Sequence, residues 1–142
     1  MMAPGEGPAM AKCRVLLVDD EPVFLKSMAK VLGARDYEVE TAEDGAAALK
    51  RMAEREFDVV VLDQRMPGMD GLTTLEHIRR DFPVVPVILL TGHAEMDTAI
   101  EAMDRGAVDY LLKPAAVEKL CERLNAALER KAVLQGMLKP EG

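Results

Sequence analysis

Several polar side chains sit where short apolar runs stop. Asp19 and Asp20 follow Arg14–Val18, Asp63 follows Val59–Leu62, Thr91 follows Val87–Leu90, and Lys113 follows Asp109–Leu112. Carboxylates held close together repel one another and favour a shared proton or cation. Hard carboxylate oxygens suit Mg2+, which keeps several waters and usually takes a phosphoryl oxygen as well. An aspartate can also act as a nucleophile and carry an aspartyl-phosphate. A phosphoryl group in transfer needs its oxygens neutralised. A metal ion could serve one oxygen, the Lys113 ammonium a second and the Thr91 hydroxyl a third. The set is therefore complete for accepting a phosphoryl group on Asp63, which ends a fully apolar, centrally placed strand. The adjacent acids Asp19 and Asp20 are better suited to metal. Taken singly, each residue has an ordinary explanation as a turn former, a helix cap or a solvated charge. Together, on four strand ends of the same polarity, those explanations lose.

The elements that must position these residues follow from an alternation of two periods. Arg14–Val18, Tyr37–Thr41, Val59–Leu62, Val87–Leu90 and Asp109–Leu112 read as strands. Between and after them, Val23–Leu32, Gly45–Arg55, Leu72–Arg80, Met96–Arg105 and Val117–Arg130 read as helices. The first carries Val23, Phe24, Met28, Val31 and Leu32 on one face, and the second Ala46, Leu49 and Met52. Pro22 suits a first helical turn and Gly33 a helix end, and Asp70 is placed to cap the third helix. Five βα units imply a parallel sheet covered on both faces, joined by right-handed crossovers. The expected fold is α/β, doubly wound (βα)5 and flavodoxin-like, with strand order 2-1-3-4-5 and ligands outside the carboxyl ends of the strands.

The chain has 142 residues, suited to one domain, and 49% of them are hydrophobic with few aromatics, so the core must be aliphatic. A net charge of −7 gives no attraction for nucleic acid or an anionic membrane surface. The apolar runs are too short to span a bilayer. Cys13 and Cys121 are far apart in sequence and read as buried, reduced thiols, and the expected location is cytoplasmic. Residues 1–12 read as a disordered N-terminal tail and not a signal peptide, 13–131 as the domain, and 132–142 as a tail or linker.

Over roughly Arg14 to Arg130 the chain resembles the response-regulator receiver family of two-component signalling. The resemblance is carried by Val-Leu-Leu-Val-Asp-Asp-Glu at 15–21, Val-Val-Leu-Asp-Gln-Arg-Met-Pro-Gly-Met-Asp-Gly at 60–71, Leu-Leu-Thr-Gly at 89–92 and Asp-Tyr-Leu-Leu-Lys-Pro at 109–114. It implies that Asp63 is the phosphoacceptor. It implies that Asp20, Asp63 and the Arg65 backbone carbonyl ligate Mg2+ directly, with Asp19 acting through water. Thr91 and Lys113 become phosphoryl contacts, Gly92 leaves room for the group, Tyr110 is an aromatic switch, and the Lys113–Pro114 bond is cis. The donor implied is a phosphohistidine on a sensor histidine kinase or a phosphotransfer protein. The output surface implied runs along helix 96–105, strand 109–112 and helix 117–130 and binds a downstream protein or output domain. The wording around Thr91 and Tyr110 is similar to receivers of sigma54-activator-type regulators.

Two variable positions, Arg65 and His93, would flank the phosphoryl group and set its lifetime, or be plain loop residues; His77 reads as surface. Val117, Leu120, Leu124, Leu134 and Leu138 keep near-heptad spacing that Ala127 and Lys131 interrupt. A homodimer seam is open there, although an ordinary amphipathic helix is the simpler reading. A phosphohydrolase with an aspartyl-phosphate intermediate is a rival, but its signature needs a second Asp two residues after the nucleophile on the first strand. A receiver that is never phosphorylated is another, yet none of Asp20, Asp63, Thr91 and Lys113 is missing.

Overall fold

In a computed structural model, which describes residues 13–92, 96–113 and 117–138, the five strands form one parallel sheet in the order β2-β1-β3-β4-β5. The strands are β1 (Cys13–Val18), β2 (Tyr37–Ala42), β3 (Val59–Leu62), β4 (Val87–Thr91) and β5 (Asp109–Leu112). The helices are α1 (Pro22–Gly33), α2 (Gly45–Glu54), α3 (Gly71–Asp81), α4 (Met96–Asp104) and α5 (Val117–Leu138). Strand order and fold class are those expected, and the register aligns the carboxyl ends. Val18 lies opposite Ala42 and Leu62, and Thr91 lies opposite Leu112. Asp19, Asp63 and Lys113 therefore each leave the sheet one step past a paired residue.

The strands alternate their aliphatic side chains between two cores, as a period of two demands. Leu16, Val18, Val60, Leu62, Val87 and Leu89 face α2, α3 and Ala102 of α4. Val15, Leu17, Val59, Val61, Ile88 and Leu90 face α1 and α5. Both faces are covered, which is why the central strands are continuously apolar.

Helix ends follow local chemistry. The Asp44 carboxylate accepts the Ala47 N–H at 2.7 Å, and the expected Asp70 cap accepts the Thr73 N–H at 2.9 Å. Pro22 occupies the first turn of α1.

Three details differ from expectation. Val23 is 79% exposed and Leu25, outside the expected face, is buried in its place, while Leu32 is buried and Phe24 and Met28 are partly buried as expected. On α2 the fully buried positions are Gly45, Ala48 and Met52, one helical stripe spaced by three and four residues, while Ala46 faces solvent. Cys13 and Cys121 are free but half-buried, not buried, because each packs only against the margin of the α1–α5 core.

Helix α5 continues through Leu138, past the expected end at Arg130. Lys131 ties it to Asp58 at 3.0 Å. Leu120 and Leu124, two members of the near-heptad series, are fully buried in the domain's own core. No helix among the described residues is long and apolar enough to cross a membrane.

Candidate functional site

Asp63 is held by the ladder and by the loop that follows it. Its N–H donates to the Val18 carbonyl at 2.9 Å, and its Oδ1 accepts the Gln64 N–H at 2.8 Å. Gln64 then clamps the start of α3. Its side-chain oxygen accepts the Leu72 N–H and its carbonyl accepts the Gly71 N–H, both at 2.8 Å. A Cβ at Gly71 would lie 2.3 Å from the Asp63 carbonyl oxygen and 2.7 Å from Gln64 Cα, so only glycine lets α3 come this close.

Asp19 is placed from the other side. Its N–H donates to the Ala42 carbonyl at 3.1 Å, and its Oδ1 accepts the Glu21 N–H at 3.0 Å. One carboxylate oxygen from each of Asp19, Asp20 and Asp63 lies within 4.8 Å of the other two. Asp19 is 1% and Asp63 4% exposed, whereas Asp20 faces solvent. Burial pushes the Asp19 carboxyl above its ordinary range; hydrogen bonds from Lys113 and the Glu21 N–H oppose this, and the charge of Asp63 adds to it.

The Lys113 N–H donates to the Thr91 carbonyl at 2.8 Å. Its ammonium pairs with Asp19, reaches Glu21 at 3.0 Å and Asp63 Oδ2 at 3.7 Å, and lies 4.2 Å from the centre of the Phe24 ring. Burial disfavours the ammonium, but hydrogen bonds to Asp19 and Glu21 and the charges of Asp19 and Asp63 win, so its pKa lies above the ordinary lysine value. Thr91 is fully buried at the end of β4.

These oxygens form a hard donor set, with two buried carboxylates and one ammonium between them. The residues fit Mg2+, which takes one or two carboxylates, keeps several waters and leaves room for a phosphoryl oxygen.

The remaining expected residues take these places. Arg65 is exposed in the loop after Asp63. Gly92 is exposed, and a Cβ there would meet nothing within 4 Å among the described residues. Tyr110 is half-buried, packed against the core on the α2–α4 face and in register with Leu89. His93 and Pro114, with its expected cis bond, lie outside the described residues. His77 is half-buried on α3, its Nδ1 2.9 Å from the Arg80 guanidinium. Met96, Ile100 and Met103 of α4 and Leu112 of β5 are exposed apolar side chains on the expected output surface. The sequence reading missed Glu21, Phe24 and Gln64 as members of the site. The only available signal was their nearness in the chain to Asp20 and Asp63.

A family model described as "Response regulator receiver domain" matches residues 15–125. Among curated relatives, ZraR of Klebsiella oxytoca, a transcriptional regulatory protein, is 40% identical over 114 residues, covering 80% of this chain and 26% of the relative. The regulatory protein AtoC of Escherichia coli is 38% identical over 126 residues, covering 89% of this chain and 26% of AtoC. The chain thus spans about a quarter of the length of these relatives, whose names agree with the sigma54-activator-type wording. The crystal structure of a response regulator receiver domain protein from Clostridium thermocellum superposes with a TM-score of 0.82 at 36% identity, covering 86% of this chain and 98% of that one. With the fold, the acidic cluster at the carboxyl edge and these likenesses together, the chain belongs to the response regulator receiver domain family of two-component systems.

Proposed function

We propose that this receiver accepts a phosphoryl group on Asp63 from a phosphohistidine, on a sensor histidine kinase or a phosphotransfer protein, in a Mg2+-dependent reaction. The observation that carries the reading is the buried Asp63 carboxylate, with two further carboxylates within 4.8 Å and the Lys113 ammonium at 3.7 Å. Asp63 Oδ1 is engaged by the Gln64 N–H, so Oδ2, on the side of Lys113, is the attacking atom. An O–P bond forms at Oδ2 as the P–N bond to the donor imidazole breaks. The imidazole keeps the electron pair and takes up a proton.

Asp20, Asp63 and the Arg65 carbonyl would hold Mg2+, with Asp19 acting through water, and the bound ion would supply charge neutralisation to a phosphoryl oxygen. Lys113 gives up a carboxylate partner to meet a second oxygen, and the Thr91 hydroxyl donates to a third. Gly92 leaves the approach open, and Arg65 and His93 set the lifetime of the adduct. Residues 13–131 form the unit that does this, and its setting is cytoplasmic.

The added charge, roughly −1.5 to −2, draws Thr91 and Lys113 towards the phosphoryl group. Tyr110 follows Thr91 inward, and the population shifts towards one arrangement of α4, β5 and α5. The exposed Met96, Ile100, Met103 and Leu112 support this as the surface a downstream protein or output domain reads. The chain turns over no substrate beyond its own phosphotransfer and dephosphorylation.

The test is intact mass after incubation with acetyl phosphate, with and without Mg2+, alongside Asp63→Asn. A phosphoryl adduct that needs Mg2+ and is lost in the variant is expected. A folded wild-type chain that gains neither an adduct nor bound beryllofluoride would sink the reading.

A further inference from the structure

Among the described residues, three carboxylates and one uncharged group, an aromatic ring, lie around the Lys113 ammonium. Asp19, Glu21 and Asp63 face it with carboxylates, and the Phe24 ring lies beneath it, 4.2 Å from ring centre to nitrogen. Phe24 sits in the first turn of α1, half-buried and packed against the α1–α5 core. We infer that Phe24 is a positioning residue for phosphoryl transfer: its ring face holds the Lys113 ammonium beside the acceptor oxygen while leaving the N–H donors free. The inference rests on the acceptor reading of Asp63.

An ammonium has three N–H donors and no acceptor. Each carboxylate partner occupies a donor and so competes with the phosphoryl oxygens that Lys113 must meet. The ring attracts the cation through its quadrupole and asks for no directed hydrogen bond. When the phosphoryl group arrives, a carboxylate contact is surrendered but the ring contact can persist. A contact of equal strength before and during transfer does not by itself lower the barrier; what the ring supplies is an ammonium already held where the phosphoryl oxygens need it, at no cost in reorganisation.

The ring also limits where the flexible lysine stem can go. The Lys113 side chain is 12% exposed, whereas its outermost partner, Glu21, is 65% exposed. An ammonium drawn outward with Glu21 leaves the acceptor and also leaves the ring. Phe24 therefore favours the inward position without neutralising the charge that the phosphoryl group needs. An aliphatic side chain of similar size fills the same space against the core but offers no such attraction.

The test replaces Phe24 by phenylalanines with one and with three ring fluorines, which weaken the quadrupole stepwise at nearly constant shape. Phe24→Tyr and Phe24→Leu are made in parallel. The readout is the rate of Mg2+-dependent labelling by acetyl phosphate, followed by intact mass, with thermal unfolding of each protein as a check on packing.

The rate is expected to fall stepwise with fluorination, by about threefold to tenfold at the trifluoro ring. It should fall similarly in Phe24→Leu and be retained in Phe24→Tyr. In a Lys113→Met background the same changes should leave the residual rate unaltered, since the ring acts through the ammonium. A flat fluorination series with a labelled wild-type chain overturns the inference alone. So does a decline that persists undiminished in Lys113→Met. A folded wild-type chain that gains neither an adduct nor bound beryllofluoride overturns the acceptor reading and this inference with it.

Discussion

Replacing Asp63 with asparagine removes one of three carboxylates whose oxygens lie within 4.8 Å of one another. At an effective dielectric of about 20, two unit charges at that separation repel by about 3.5 kcal/mol. Asp19 and Asp63 are both buried, so this is the relevant regime for that pair. Lys113, 3.7 Å from Asp63 Oδ2, attracts it by about 4.5 kcal/mol on the same scale. The two terms nearly cancel, and the balance falls to what remains. Asp20 adds repulsion of the same sign. Holding a carboxylate only 4% exposed costs several kcal/mol of hydration, against about 1–3 kcal/mol for a neutral amide. Asp63→Asn is therefore expected to be more stable than wild type by about 1–3 kcal/mol in metal-free buffer at neutral pH.

Added Mg2+ should close that gap. A cation at a hundred times its dissociation constant stabilises the wild-type chain by about 2.7 kcal/mol, and the variant has lost a donor. Urea unfolding with and without Mg2+, compared at equal slope, measures both numbers. Destabilisation of the metal-free variant by more than about 1 kcal/mol would refute the reasoning, since the Lys113 attraction would then dominate. Equal stabilisation of both proteins by Mg2+ would refute the placing of the cation.

Other expectations concern the loop, the adduct and a thiol. Gly71→Ala puts a Cβ against the Asp63 carbonyl and the Gln64 backbone; it should lose about 1–3 kcal/mol or more in chemical denaturation and label more slowly, because the acceptor's own backbone must move. Arg65→Ala should alter the decay rate of the phosphoryl adduct, and an unchanged rate removes Arg65 from the site. Burial, with the charge of Asp58, raises the Cys13 thiol above its ordinary pKa, against the smaller opposing effect of Lys131. The protonated thiol is favoured in the folded chain, so this stabilisation is present below the ordinary thiol pKa and is lost as pH rises through the raised one. Iodoacetamide should thus react with Cys13 more slowly at neutral pH than with an unfolded control.

The centre of the sheet was legible in the sequence because β1, β3 and β4 each carry a short aliphatic run with a polar stop, and those stops line the candidate site; β2, with Glu38 and Glu40 alternating with Tyr37 and Val39, shows the weaker pattern of an edge strand. Asp19, Asp63, Thr91 and Lys113 could be named before any geometry because each ends a strand, and parallel strands end on one edge. The helix faces were less legible. Val23 and Leu25 are both apolar, and pattern alone does not say which one the sheet covers; similarly, Ala46 and Ala48 differ only in angle about the α2 axis. The contacts of Glu21 and Phe24 with Lys113 join the start of α1 to the end of β5, and Glu21 and Lys113 are 92 residues apart. Side chains are brought together across that distance by the crossover topology, not by spacing.

Strand β1 is the first strand in the chain, yet it lies between β2 and β3 in the sheet. Its second neighbour is complete only at Leu62, which pairs with Val18. During synthesis at roughly 5–20 residues per second, the Val15–Val18 edge waits about 2–9 s for that partner. For that interval the Val15–Val18 stretch, fully buried in the finished domain, is a bare aliphatic edge with unpaired backbone groups. Substitutions that weaken β3 should then lower the yield of soluble protein more than their effect on equilibrium stability suggests, because they prolong the time in which one nascent chain can pair with another.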